Sequence, residues 1–132
     1  MDLTDTPESM NLLADRFFTA VEAGDIDMIA NIYAEDGIIW KSFDEIETTA
    51  AQSLAYLAGA RGRLRDVKYK NIRRSVFAGG FVQQHRYTCI RRSDGKAFDF
   101  PACLVVTVQD NRFVRIEEYY DSTNRKELIS GD

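Results

Sequence analysis

An α+β domain is predicted for this chain of 132 residues from three observations. The first half carries three stretches of helical apolar periodicity. The second half carries long runs rich in β-branched and aromatic residues. The two kinds of segment are segregated along the chain rather than interleaved. Three N-terminal helices are therefore expected to cover one face of a strongly curved, mostly antiparallel sheet. A hydrophobic fraction of 45% against a charged fraction of 29% excludes general disorder. No repeat or linker divides the chain, so one domain over 1–132 is expected, with its core at about 8–121 and a polar, frayed tail at 122–132.

The first helix starts at Thr6-Pro7-Glu8, a capping hydroxyl followed by proline at the first helical position and an acid in the first turn. Met10, Leu13, Ala14, Phe17, Phe18 and Val21 then make one wide apolar stripe. Gly24 ends it, and Asp25 caps a second helix carrying Ile26, Ile29, Ala30, Ile32 and Tyr33. Ala34 to Gly37 reads as a turn and Gly37 to Lys41 as a short strand. Thr48 or Thr49 caps a third helix through Leu54, Leu57 and Ala58, fading at Gly59 to Gly62. Asp66 to Phe77 reads as extended, with an irregularity near Asn71. Gly79-Gly80 turns the chain into a long strand, Phe81 to Arg92. Ser93-Asp94-Gly95 closes a hairpin onto Ala97 to Gln109, where Pro101 warns of a sheet edge or bulge. Asp110-Asn111 leads into a last strand, Arg112 to Asp121.

Composition removes several function classes. Seventeen basic and 21 acidic residues leave a net charge of −4, which selects neither nucleic acid nor an anionic membrane. The run of Arg61, Arg63, Arg65, Lys68 and Lys70 reads as a solvated loop entering a strand. No apolar run approaches the roughly 20 residues that cross a bilayer, and the N-terminus lacks the basic and apolar regions of a secretory signal, which points to the cytoplasm. One histidine and two cysteines oppose a metal site. Cys89 and Cys103 read as reduced, buried thiols. Phosphate-binding glycine motifs and a nucleophile elbow are absent, so no cofactor and no serine triad is expected. Any chemistry falls to carboxylates, tyrosines, lysine, arginine and the single histidine.

Three strings, Phe17-Phe18-Thr19-Ala20-Val21-Glu22-Ala23-Gly24-Asp25, Ile32-Tyr33-Ala34-Glu35-Asp36-Gly37 and Arg115-Ile116-Glu117-Glu118-Tyr119-Tyr120-Asp121, together with the order of elements, resemble the SnoaL-like branch of the nuclear transport factor 2-like superfamily. The resemblance spans about Glu8 to Asp121. It implies a cone in which the sheet wraps around a long helix and leaves a pocket open at one end, and it implies a homodimer through the outer sheet face. Members of this superfamily include isomerases, cyclases, dehydratases, epoxide hydrolases and non-catalytic binders, so activity must be argued from the site.

Strand alternation nominates the pocket residues. In the last strand Val114, Ile116, Glu118 and Tyr120 share a face, and Arg115, Glu117, Tyr119 and Asp121 share the other. The first set is the better core face and carries Glu118 inward, where a carboxylate is costly unless paired or protonated. In the long strand Phe81, Gln83, His85, Tyr87 and Cys89 share a face, placing an imidazole beside a phenol. His85 is expected as general base or acid, Glu118 or Asp121 as its partner, and Tyr87 as donor to a developing oxyanion. Trp40, Tyr33, Phe81, Phe100 and Tyr120 are expected to contact the ligand.

Named chemistries of the superfamily fit unequally. Set against the limonene-epoxide hydrolase pattern, the Arg and Asp of the long strand fall on His85 and Tyr87, the Tyr and Asn of the first strand on Ile39 and Lys41, and only the last acid survives, as Glu118. The ketosteroid isomerase base is missing, since the first strand offers Trp40 and Lys41. A polyketide cyclase pattern of a histidine and an acid in an apolar pocket fits better in kind. The expectation is a small-molecule pocket protein performing cofactor-independent proton transfer on a hydrophobic cyclic or carbonyl-bearing substrate. The alternative is a non-catalytic ligand binder or dimeric interaction module. A pocket packed solid by Trp40, Phe81 and Tyr120 would favour the module.

Overall fold

The order of elements in the computed structural model, which describes residues 5–129, follows directly from the caps and turns in the chain. Helix α1 spans Pro7–Ala23, with Thr6 and Ser9 forming a reciprocal capping box. Gly24 closes it at φ 69°, a left-handed position against which the Arg61 side chain packs so closely that a Cβ would collide. Asp25 accepts the Met28 amide and starts α2, Ile26–Ile32. Strand β1 is Tyr33–Lys41, β2 is Glu47–Thr49, and Thr49 caps α3, Ala50–Arg63. Four strands follow: β3 Leu64–Phe77, β4 Gly80–Arg91, β5 Ala97–Gln109 and β6 Arg112–Tyr120. The chain then forms α4, Ser122–Ile129.

The six strands make one mixed sheet in the order β2-β1-β6-β5-β4-β3, and every pairing is antiparallel except β1 with β6. Helices α1 to α3 lie against one face. Met10, Leu13, Phe17 and Phe18 of α1, with Ile29 and Ile32 of α2, are buried against Phe81, Val106, Phe113 and Ile116 of the sheet. Gly80 lets β4 run close to β5, because a Cβ there would sit 2.0 Å from the Val106 carbonyl oxygen.

The structure departs from the sequence expectation in four places. Ala34 to Gly37 is not a separate turn. The chain enters β1 at Tyr33, and a bulge takes up the slack: five residues advance from Tyr33 to Ile38 while the partner advances two, from Phe113 to Arg115. Strand β2 is too short to leave an apolar pattern. Helix α3 continues past Gly59 and Gly62 to Arg63. The tail is not frayed over 122–129: Asp121 accepts the Thr123 amide at 2.8 Å, Leu128 is buried beside Phe98 and Phe100, and the Arg91 guanidinium donates to the Glu127 carbonyl at 2.6 Å. One buried leucine and a polar cap are too thin a pattern to announce a helix, and its anchor lies in another strand.

Two expected irregularities are present. In β3 the register shifts twice, and Asp66 and Asn71 adopt φ of 54° and 55°, conformations that Asp and Asn tolerate best among residues with a Cβ. Such bulges twist an edge strand and discourage further pairing. Pro101 faces Arg86 of β4, while β6 begins its pairing with β5 only at Ala102. Proline, which has no amide proton to give, thus sits where the second neighbour is missing.

Candidate functional site

Four rungs across the inner face of the sheet build the site, because residues paired across strands share a face. The first rung is apolar throughout: Val76, Phe81, Val106, Ile116 and Ile39. The second is Arg74, Gln83, Leu104, Glu118 and Lys41, charged at both ends. The third is His85, Ala102 and Tyr120. The fourth is Tyr69, Tyr87 and Phe100. Polarity therefore switches on within two residues along β1, β6, β4 and β3, while the inner face of β5 stays apolar, and the small side chain of Ala102 leaves a gap in the middle of the third rung.

That gap is a cavity of about 130 Å³ between the sheet, α1, α3 and α4. It compares with the roughly 150 Å³ apolar void that holds one benzene. The sheet contributes His85, Tyr87, Phe100, Ala102, Glu118 and Tyr120. Helix α3 contributes Ser53 and Tyr56, and α4 contributes Arg125 and Leu128. Five of the six tyrosines of the chain line it: Tyr33, Tyr56, Tyr69, Tyr87 and Tyr120. Burial raises the pKa of Tyr33, Tyr69, Tyr87 and Tyr120 well above the ordinary tyrosine value, so these four stand as neutral hydroxyl donors. Tyr33 shares a hydrogen bond of 2.9 Å with Ser53.

Glu118 is the acid of this cavity. Desolvation raises its pKa above the usual 4.5, and the charges of Lys41 and Arg125 oppose the rise. Among the described residues none donates a hydrogen bond to its carboxylate or ion-pairs with it. The strand spacing explains the neighbouring Lys41, which faces Glu118 directly across the parallel β1–β6 pair. His85 lies two strands away and one rung on. Burial lowers its pKa from 6.5 to about 4, so the imidazole is neutral at physiological pH. Its ring meets the Tyr69 ring edge-on at 4.8 Å and its Nδ1 lies 3.1 Å from the Gln83 amide nitrogen. His85 and Glu118 both line the cavity, but no hydrogen bond or ion pair joins them.

Other expected site residues fall elsewhere. Trp40 is on the outer face, half-buried with its ring 5.2 Å from that of Tyr119. Ile39 and Lys41 take the inner face of β1, with Lys41 at the cavity, because the parallel pairing sets them beside the inward Ile116 and Glu118 and turns Trp40 outward. Phe81 has the expected face but the wrong end: it is fully buried against Phe113 at 5.6 Å and does not line the cavity. Asp121 is exposed, does not line this cavity and caps α4, and it borders a more open concavity together with His85, Ala102 and Tyr120. Val114 gives way to Phe113 as the buried residue at the start of β6, because the ladder shifts register between Thr107 and Val108.

Tyr56, Tyr69, Lys41, Arg125 and Gln83 were not expected. Tyr56 and Arg125 come from helices whose placement strand alternation cannot give. Arg125 donates a hydrogen bond to the Tyr56 hydroxyl, and its Nε is buried with no hydrogen-bond partner among the described residues. A second concavity of about 230 Å³ lies at the α1–α2 joint beside Gly24. Two of its arginines are engaged, Arg65 with Asp66 at 2.6 Å and Arg92 with the Arg61 and Leu64 carbonyls, and the Arg61 side chain packs against Gly24.

The model of the SnoaL-like domain matches residues 14–116. The chain belongs to the SnoaL-like family. The matched span takes in β1 to β5 and the first half of β6, and it stops short of Glu118 and α4. Solved structures with the same architecture cover nearly all of this SnoaL-like domain at low identity. A proposed polyketide cyclase from Xanthomonas campestris pv. campestris superposes with a TM-score of 0.82 at 14% identity, over 93% of this chain and 98% of its own. A proposed isomerase from Bacillus subtilis gives 0.81 at 13% identity, over 95% of each chain. An epoxide hydrolase of M. tuberculosis, described as LEH-like, gives 0.76 at 17% identity, over 94% of this chain and 90% of its own. No curated protein matches the sequence. Among the described residues no helix is long and apolar enough to cross a membrane.

Proposed function

We propose that the cavity binds a small cyclic molecule bearing a carbonyl group and moves a proton on it without a cofactor, with Glu118 as the base. The observation that carries this reading is a cavity-facing carboxylate to which no described residue donates a hydrogen bond, made more basic by burial and sharing its cavity with neutral phenol and imidazole groups. Glu118 takes a proton from the carbon next to the carbonyl, and the electron pair moves to the carbonyl oxygen. Tyr87 and His85, two strands away on the same sheet face, stabilise the resulting enolate by donating hydrogen bonds. Return of the proton from Glu118 to another carbon completes an isomerisation. Attack of the enolate on a second carbonyl of the same molecule completes a cyclisation, with the proton passing to the new alkoxide. His85 is a poor base here because burial disfavours its protonated form, so the base role moves from the histidine to the glutamate.

The proposed relatives named above, a cyclase and an isomerase, support chemistry of this kind. The cavity's size supports a ligand of about one ring. The outer face, where Trp40 packs on a Tyr119 that is 42% exposed, supports pairing of two copies through that face.

Exchange of α-protons for deuterium, followed by proton NMR on a panel of small cyclic ketones and diketones, tests the reading without knowledge of the product. Wild type is expected to accelerate exchange on at least one member. Glu118→Gln should lose about 10²- to 10⁴-fold of that acceleration, the usual contribution of a general base. Exchange at the wild-type rate in Glu118→Gln overturns the assignment. Binding of the panel with no exchange by wild type leaves a ligand binder.

A further inference from the structure

A chain of polar side chains runs from α1 through the sheet to the cavity. Asp15 and Asn11 of α1 hold the Arg74 guanidinium, Nη1 donating to the Asp15 carboxylate at 2.9 Å and to the Asn11 side-chain oxygen at 3.2 Å. The Arg74 side chain is 9% exposed and lies over the Phe18 and Phe81 rings. Its Nε donates to the Gln83 Oε1 at 2.9 Å. Arginine has no acceptor, so this bond sets which way the Gln83 amide faces: oxygen toward Arg74, nitrogen toward His85. The Gln83 amide N–H can only donate, and it points at His85 Nδ1, 3.1 Å away. Nδ1 must then be the bare, accepting nitrogen.

We infer that Arg74 and Gln83 are positioning residues that hold His85 in the Nε2–H form, so that the imidazole offers the cavity a donor rather than a base. Gln83 is fully buried, and among the described residues its side-chain amide bonds only Arg74 and His85. Around the ring, Phe18 of α1 and Tyr69 of β3 supply aromatic contacts. Gln83 makes the single hydrogen bond to the His85 ring among the described residues. The ionic groups on this side, Arg74 and Asp15, act on the ring through Gln83. A neutral donor at this wall suits an oxygen that gains negative charge, since a hydrogen bond to it strengthens as the charge develops. The use of the donor on a carbonyl rests on the proton-transfer reading above; the tautomer does not.

His85 is the single histidine of the chain, so ring-nitrogen NMR of the full-length protein labelled with ¹⁵N-histidine reports on it alone. Wild type at pH 7 should show a protonated Nε2 and an unprotonated Nδ1. Gln83→Glu places a carboxylate that accepts from both Arg74 and the ring, and should move the proton to Nδ1 or charge the ring. Arg74→Met frees the Gln83 amide to turn, and should give a mixture of tautomers, with Arg74→Lys restoring the wild-type pattern in part. A wild-type ring protonated at Nδ1 overturns the inference, and this result needs no variant to fold. An unchanged tautomer in folded Gln83→Glu overturns it as well. If the tautomer is as stated and no α-proton exchange is found, the proton-transfer reading fails while this inference stands. If exchange is found, Arg74→Met should lower kcat and leave KM within about twofold, as expected when a transition-state donor is displaced.

Discussion

The two ends of the helix–sheet interface share the same strands and differ in what they hold. At one end Phe17, Phe81, Phe113, Val106 and Ile116 fill the space between α1 and the sheet, with Phe17 and Phe113 rings 4.8 Å apart. At the other end the same strands present Glu118, His85, Tyr87 and Tyr120 around a cavity. Four residues along β4, from Phe81 to His85, separate the two regimes. The packed end supplies stability through close contact, and the open end spends some of it on buried polar groups left available to a ligand. Variants at the two ends should therefore separate stability from binding.

The largest effect on stability is expected at the packed end. Phe113 is 1% exposed and touches Phe17 and Phe81. Phe113→Ala should cost about 3–5 kcal/mol, read as a lower urea midpoint with an unchanged slope. A cost below about 1 kcal/mol would mean that this end is not the tightly packed one.

A second effect belongs to the open end and depends on pH. His85 binds its proton more weakly when folded, with a pKa of about 4 against 6.5 for the ordinary group. Between those values the unfolded chain holds more protons than the folded one, so stability rises with pH. The stability from this group is complete above pH 6.5 and is lost as the pH falls through about 4. The loss should reach about 2 kcal/mol after allowance for solvent screening of a group near the cavity. His85→Gln should flatten the urea-midpoint profile over this window; a slope as steep as that of wild type would refute the assignment.

A smaller effect of opposite sign is expected from Glu118. Burial raises its folded pKa above 4.5, so its contribution is favourable below that value and is lost as the pH rises through the folded pKa. Glu118→Gln should therefore be more stable than wild type at pH 8 and lose that advantage near pH 4, by urea titration at both values. Lower stability at pH 8 would mean that the carboxylate is held by a partner rather than left for a ligand.

The contrast between the ends also explains what could be read from the sequence. Where strands are regular, period-two alternation found the inner face: Gln83, His85 and Tyr87 on β4, and Ile116, Glu118 and Tyr120 on β6. Where bulges interrupt, it failed. Phe113 and Val114 exchange places at the β5–β6 shift, and Tyr69 on the twice-bulged β3 gave no signal. Trp40 shows the other limit. The parity of β1 was plain, yet an aromatic ring looked more like a pocket wall than the pair Ile39 and Lys41 did. Alternation puts Gln83 on the inner face, but its role is not legible until Arg74, nine residues away in sequence, is set beside it. Tyr56, Arg125 and α4 reach the cavity only through tertiary placement, which no local pattern encodes.

Two small-to-large substitutions on β5 bring the comparison to single residues. Val106 and Ala102 lie on the same face of the same strand, four residues apart. Val106 is fully buried, so Val106→Leu adds a methylene where no space exists and should cost about 1–3 kcal/mol. Ala102 lines the cavity, so the larger addition in Ala102→Leu has room to enter, and stability should stay within about 1 kcal/mol of wild type. Its effect should appear in binding instead, because the new side chain occupies the space between His85 and Tyr120 that a ring-sized ligand needs. Urea midpoints and ligand titrations on both variants decide the matter. If Ala102→Leu is the more damaging to stability, the third rung is closed and the ligand site lies elsewhere.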